Sequence, residues 1–348
     1  MKYRIGMIGS GSISRSHTYG FDRLNTYYDD VQVEKAVICS PHITEEKAKD
    51  MGWNETANDW KKVVTRADID VIDICAYDYL HYEIVKAAIA NGKMVICEKP
   101  LADTYEQAME LAELARSKNI RATVCTNYRY IHAIRCIEHL VKSGELGDIR
   151  FIHGSFKMGW AIDPNGGMNW RLNHRYSPCG VLGDLGTHII DLCRYIGLEF
   201  QDVCGMSEVY GKVRPEGDQL VTTESNELSA FTARFTNNAL GNFEFSRVTM
   251  GSSGMMFEVH GTRGSVKYHK YDFNKLEVLI PHLYPDYKWD YGKIDAGEIL
   301  PFDYKWDDGF NQMDTYTLLF YDFLMGSGKA PILEDGTECC RIIDTVLK

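Results

Sequence analysis

The chain has 348 residues, 45% of them hydrophobic and 25% charged. That is the composition of an ordinary globular protein, and at roughly 150 residues per domain it implies two domains. Lys and Arg number 38 against 49 Asp and Glu, a net charge of −11, which lacks the basic footprint that a nucleic acid or an anionic membrane surface requires.

The first nine residues carry only a short apolar run broken by Gly6, too short for a signal-peptide core. No stretch approaches the ~20 apolar residues that span a bilayer. The ten cysteines show no C-x-x-C pair and no zinc-type spacing with histidine, so no metal is expected. Several sit in apolar runs such as Val37-Ile38-Cys39 and Val95-Ile96-Cys97, where a free thiol behaves as a small hydrophobe. A reducing cytoplasm is the expected location.

In chain order, short apolar runs at Arg4–Ile8, Val33–Cys39, Val71–Cys75, Met94–Cys97 and Ala122–Cys125 predict buried strands. Helical patterns lie between them. Leu80–Ala90 stops at Asn91-Gly92, and Thr104–Ser117 opens on Asp103 and Glu106, which read as a capping box. This alternation builds a parallel sheet covered by helices, an α/β Rossmann domain over residues 1–126. Residues 127–348 read as an α+β domain on a largely antiparallel, open-faced sheet. Its helices are Ile131–Lys142 and Val181–Ile196, and its strands Ile149–Met158, Ser229–Phe235, Leu240–Val248, Phe257–His260 and Ser265–His269. The segment 270–310 reads as a long decorated loop. Met313–Met325 and Gly336–Leu347 close the chain as helices, the last expected to pack back on the first domain.

Gly9-Ser10-Gly11-Ser12-Ile13-Ser14 follows the first strand and opens a helix. Gly9 permits a tight turn, Gly11 lets backbone approach a pyrophosphate, and the helix start at Ser12 and Ile13 offers unpaired N–H groups. Ser14 stands where glycine or alanine is usual, a departure expected to loosen helix–sheet packing. The second strand ends in Cys39-Ser40-Pro41-His42, with neither a carboxylate for ribose hydroxyls nor an arginine. Ser40 and His42 suit either a 2′-phosphate or plain hydroxyls, so NAD and NADP both stay open.

Glu98-Lys99-Pro100 follows the fourth strand at the carboxyl edge of the sheet, where such folds bind ligands. Asp184 and His188, four residues apart in Gly183–Leu192, fall on one helix face. A carboxylate beside an imidazole suits a general base. Tyr82 and Lys86 have the Y-x-x-x-K spacing of short-chain dehydrogenases, but they fall on an early amphipathic helix and read as surface residues.

Together the glycine-rich turn, Glu98-Lys99-Pro100 and Gly183–Leu192 resemble the glucose–fructose oxidoreductase, inositol dehydrogenase and rhizopine-catabolism (Gfo/Idh/MocA) superfamily. Asn127-Tyr128-Arg129-Tyr130, Trp170-Arg171, Gly261–Ser265 and Glu334-Asp335-Gly336 extend the resemblance over the whole chain. It implies a catalytic set of Lys99, Asp184 and His188, and a cis peptide before Pro100. In this reading His188 removes a hydroxyl proton, Lys99 stabilises the developing alkoxide, and Asp184 orients the substrate or His188. It places Gly9, Gly11, Ser12, Ile13, Ser40, His42, Tyr77, His81, Glu98 and Arg171 at the cofactor, and Tyr128 at the substrate; Trp160 and Trp170 flank the loop Asp163–Gly167 and read either as core or as rings that stack on a sugar in the substrate pocket. One departure is Ala76-Tyr77-Asp78 where the family often has Thr-Pro-Asn, which alters the adenosine-side wall while keeping His81.

The resulting expectation is an NAD(P)-dependent oxidoreductase acting on a secondary hydroxyl of a sugar, cyclitol or glycoside, as a homo-oligomer (dimer or tetramer) assembled through the C-terminal sheet. Two rival readings are a redox-neutral glycosidase or lyase with tightly bound NAD, and a non-catalytic cofactor-binding regulator.

Overall fold

The computed structural model describes residues 1–251, 254–269, 273–287, 290–306 and 309–348. The chain divides into two compact units, Met1–Asn127 with Tyr304–Cys340, and Tyr128–Asp303 with Arg341–Lys348. A single seam at residues 126–127 follows from the change of periodicity; the spatial grouping adds Tyr304–Cys340 to the first 127 residues.

The first unit holds β1 (Lys2–Ile8), β2 (Gln32–Cys39), β3 (Glu55–Ala57), β4 (Val71–Ile74), β5 (Met94–Cys97) and β6 (Ala122–Val124). They form one sheet in the order β3-β2-β1-β4-β5-β6, and every pair is parallel. The order reverses between β1 and β4, the crevice in which such sheets bind dinucleotides. Because helices cover both faces, the central strand β4 is buried along its length: Val71, Ile72 and Ile74 are fully buried, and so is the one charged residue among them, Asp73. The Ser12–Tyr27 helix turns Ser14, His17, Thr18, Phe21 and Leu24 inward, the spacing of one helical face. Its Gly20 lets Phe320 of the Asp314–Met325 helix approach to the distance at which a Cβ would sit 3.0 Å from the ring.

Two boundary expectations shift. The cap of the Tyr105–Ser117 helix is Thr104, whose hydroxyl accepts from Gln107 N, while Gln107 Oε1 accepts from Asp103 N. Glu106 therefore falls one position short of the residue that completes the cap. The final helix starts at Leu333, not Gly336. That glycine lies inside the helix because an added Cβ would come within 2.9 Å of Leu101.

The second unit holds β7 (Ile149–Lys157), β8 (Phe200–Glu208), β9 (Val213–Glu216), β10 (Gln219–Thr222), β11 (Leu228–Phe235), β12 (Leu240–Ser246), β13 (Gly254–Gly261), β14 (Ser265–His269), β15 (Lys275–Leu279) and β16 (Gly292–Asp295). Eight of them make one sheet, β16-β15-β14-β13-β7-β12-β11-β8, and β9 and β10 a separate hairpin. Among the described residues the sheet is antiparallel except at β7–β12. β15 and β16 correct the loop expected over 270–310, of which 270–272, 288–289 and 307–308 lie outside the described residues. Lys275–Leu279 alternates strictly, with Leu276 and Val278 fully buried, but five residues in a Tyr- and Asp-rich context give a weak period-2 signal.

All ten cysteines are free, and nine are buried. No helix among the described residues is long and apolar enough to cross a membrane.

The Thr187–Tyr195 helix lies on one face of the second sheet, over Gly154 of β7. A Cβ there would sit 2.4 Å from Ile189 Cγ2 and 2.9 Å from the Phe243 ring. Gly154→Ala must push the helix off the sheet, at a cost of about 1–3 kcal/mol. Urea unfolding of the variant checks this: a midpoint equal to that of the parent would show that the helix is not seated there.

Candidate active site

In the first unit β1 runs into Gly9, at φ +117°, whose N–H donates to Cys39 O at 2.8 Å. A side chain is impossible here: the Cβ position lies 2.1 Å from Cys75 O. Gly11 caps the Ser12–Tyr27 helix with no side-chain hydrogen bond to the first amides, and no atom lies within 4 Å of its Cβ position. An open cradle above uncapped N–H groups is what a pyrophosphate requires. Ser14 does not loosen the packing as expected; it is fully buried and its hydroxyl donates to Gly11 O at 2.6 Å.

Of the other expected cofactor residues, Ser40 is tied by its N–H to Ala57 O at 3.0 Å and His42 is exposed. Tyr77 is 46% exposed and stacks on Tyr79, with centroids 6.4 Å apart. His81 is fully buried. Its Nδ1 lies 2.7 Å from Pro100 O and its Nε2 3.3 Å from Ala76 O, so the ring joins the loop that carries Lys99 to the segment after β4. The Lys99–Pro100 bond is cis, as the resemblance implied.

Glu98 is buried, and its carboxylate is already engaged. Oε1 accepts from His17 Nε2 at 3.0 Å and from Tyr316 Oη at 3.2 Å; Oε2 accepts from Lys99 N at 3.2 Å. His17 Nδ1 lies 2.9 and 3.1 Å from the two oxygens of Asp73 and 3.3 Å from Cys75 Sγ. Burial alone would depress the His17 imidazole, but the Asp73 carboxylate carries it well above the ordinary histidine range. Burial would raise Glu98, yet the hydrogen bond and charge of His17 hold it below the ordinary range. Burial raises Asp73 despite the imidazole beside it. Ligand-type atoms gather twice around this ring, with Asp73 and Cys75 and with Glu98 and Cys125. Ligands sharing a tetrahedral ion at ~2.0–2.1 Å sit roughly 3.3 Å apart, whereas the N···O separations of 2.9–3.0 Å here are those of one shared proton.

In the second unit Asp184 lies in a π-helical turn, Leu182–Gly186, that leads into the Thr187–Tyr195 helix bearing His188. π turns are rare and often mark functional sites. Asp184 Oδ2 accepts from Arg247 Nη2 at 3.1 Å and pairs with Arg171 Nε at 3.4 Å. Arg247 is fully buried, and it also donates to Arg171 O at 2.7 Å and Gly180 O at 3.0 Å. The Arg171 guanidinium lies 4.3 Å from the Trp170 ring centre, and that of Arg247 lies 5.7 Å from Trp160. Trp160 is 42% exposed. Thus Asp184, Arg171, Trp170 and Trp160 come together around a buried arginine that sequence reading missed. His188 is buried and stacks on Tyr128, centroids 4.0 Å apart and planes at 10°. Tyr82 and Lys86 meet as a surface pair at 2.9 Å, with Lys86 also bridged to Glu110, in line with their reading as surface residues.

Residues 3–126 match the family described as "Oxidoreductase family, NAD-binding Rossmann fold", and residues 134–267 match the GFO/IDH/MocA C-terminal domain. Levoglucosan dehydrogenase of Pseudarthrobacter phenanthrenivorans is 28% identical, over 99% of this chain and 95% of that protein. The NADP-dependent scyllo-inositol 2-dehydrogenase of Bacillus subtilis is 29% identical over 54% of this chain and 50% of its own. A solved levoglucosan dehydrogenase in complex with NADH and levoglucosan superposes with a TM-score of 0.91 at 27% identity, covering 99% of this chain and 96% of that one. With its six-stranded parallel sheet, its mostly antiparallel second sheet and both matched domains, the chain belongs to the Gfo/Idh/MocA family of NAD-binding oxidoreductases.

Proposed function

We propose that this protein oxidises a secondary hydroxyl of a small polyhydroxylated molecule (a sugar, cyclitol or glycoside), with NAD or NADP as the hydride acceptor. The observation that carries the reading is the pairing in the second unit: His188 clamped face-to-face on Tyr128, one helical turn from an Asp184 carboxylate held by two guanidiniums. An imidazole in a fixed orientation, with a fixed carboxylate four residues before it in the chain, is the equipment for taking a hydroxyl proton from a positioned alcohol. Family membership and the sugar-named relatives supply the substrate class.

His188 takes the proton of the reacting hydroxyl. Lys99 donates a hydrogen bond to the same oxygen and stabilises the negative charge that grows on it, as an oxyanion-hole donor does. Asp184, pinned by Arg247, accepts from an adjoining hydroxyl, and Trp160 and Trp170 offer apolar faces to the ring. The nicotinamide, when bound, supplies the hydride acceptor. Gly11, Ser12 and Ile13 would hold its pyrophosphate by backbone N–H groups on the tight turn that Gly9 makes, Ser40, His42 and Tyr77 would flank the adenosine end, and Arg171 is a further cofactor residue in this reading. Glu98 and His81 serve that site by holding the loop of Lys99 and Pro100. We place the action in a reducing compartment, the cytoplasm, where ten free thiols persist. The sheet face bearing Phe151, Met206 and Leu240, which are 39%, 76% and 47% exposed, is read as the surface joining copies of the chain.

Three outcomes follow. A panel of sugars, inositols and glycosides, offered with NAD and NADP in parallel, should yield free reduced nicotinamide with at least one alcohol; turnover without reduced cofactor would instead indicate redox-neutral chemistry. His188→Ala should lower kcat by about 100- to 10,000-fold while the NADH dissociation constant, read by fluorescence, stays within twofold of the parent; unchanged turnover would remove His188 from the reaction. Ser12→Glu places a carboxylate on the helix N-terminus. It should leave the melting temperature equal or higher, since the helix dipole favours it, yet weaken NADH binding at least tenfold. Undiminished binding would mean that the pyrophosphate does not sit there.

A further inference from the structure

Given the role proposed for Lys99, we further propose that His17 is a positioning residue for it: buried between Asp73 and Glu98, it holds the Glu98 carboxylate where that group grips the Lys99 amide and fixes the loop.

The geometry builds this step by step. His17, Asp73 and Glu98 come from the first helix, from the middle of β4 and from the end of β5, and His17 and Asp73 are fully buried. Both ring nitrogens face carboxylate oxygens at 2.9–3.1 Å. With both carboxyl groups ionised each nitrogen must carry a hydrogen, and we take the ring as an imidazolium. The ring is kept in place by Tyr316 and Phe320, with centroids 4.7 and 5.0 Å away. Cys75, Cys125, Tyr316 and Lys99 are the other titratable groups facing this set.

Such a buried charge set is expensive, and a leucine on this helix face, beside Phe21 and Leu24, would pack without that cost. What the set accomplishes lies at its open end. With Oε1 of Glu98 occupied by His17 and Tyr316, Oε2 is left directed at Lys99 N, 3.2 Å away. On the far side of Lys99, His81 holds Pro100 O at 2.7 Å. The residue that presents the ammonium is therefore fastened at both neighbours, and the first fastening depends on His17.

The test uses the full-length protein and its His17→Gln and Glu98→Gln variants. Amide hydrogen exchange is followed across 97–103, together with steady-state turnover of the best alcohol. Exchange at Lys99 N should rise at least tenfold in both variants while β1 and β4 stay protected. kcat should fall at least tenfold with KM within threefold. In the parent, 15N NMR should show both His17 nitrogens protonated at pH 8. Unchanged exchange at Lys99, exchange that rises evenly over the whole sheet, or a neutral His17 ring would overturn the assignment. If the parent oxidises no alcohol, the dehydrogenase reading fails by itself, and exchange at Lys99 still decides whether His17 positions the loop. Should His17→Gln fail to fold, Glu98→Gln alone decides it.

Discussion

A carboxylate taken out of water must be met at once by a cation or by hydrogen-bond donors, or it becomes protonated. That constraint organises both units. In the second unit Arg247, fully buried, meets Asp184 and at the same time ties down the carbonyls of Arg171 and Gly180. In the first, His17 meets Glu98 and Asp73. Each of these side chains spans several partners: Arg247 joins Asp184 to the carbonyls of Arg171 and Gly180, and His17 joins Asp73 to Glu98. A third pair of the same kind, Arg129 with Asp191, is bidentate at 2.5 and 2.7 Å, and it joins the segment of Tyr128 to the helix of His188, the two rings that stack.

This arrangement explains why the site can be rigid although much of it is on loops. Loops lack ladder hydrogen bonds and are held by what their carbonyls and side chains can find. Arg214, buried and paired with Glu227, donates to Ala161 O and Asp163 O at 2.6 and 2.7 Å, and so restrains the loop next to Trp160. Trp160 and Trp170 are thus carried on backbone anchored by guanidiniums, whose planar fork can reach two carbonyls at once.

Much of this was legible in the sequence, for identifiable reasons. Buried parallel strands must be short apolar runs, so β1, β2, β4, β5 and β6 stand out; β3, three residues with one apolar side chain at a sheet edge, does not. Gly9-Ser10-Gly11 is readable because a turn pressed against Cys75 O excludes any other residue at Gly9. Lys99, Asp184 and His188 were singled out through motifs. Their supports were overlooked, yet each left a trace. His17 occupies an inward position of an amphipathic helix, Asp73 interrupts Val71-Ile72-Asp73-Ile74, and Arg247 continues the buried parity of Gly241, Phe243 and Phe245. A charged residue at an apolar position is a signal, but its partner is distant in the chain, and no local period names it. The grouping of Tyr304–Cys340 with the first 127 residues was hidden for the same reason: it depends on contacts such as Gly20 with Phe320 and Thr123 with Pro331.

The central claim is that a hydride and a proton leave the same carbinol centre, the proton to His188. The most direct measurement is turnover of an accepted alcohol deuterated at that carbon, followed by mass spectrometry of the isolated nicotinamide. The account predicts one deuterium per reduced cofactor and a primary isotope effect on the single-turnover rate. Reduced cofactor without deuterium, or product formed with the label back on its own carbon and no reduced cofactor, would contradict it.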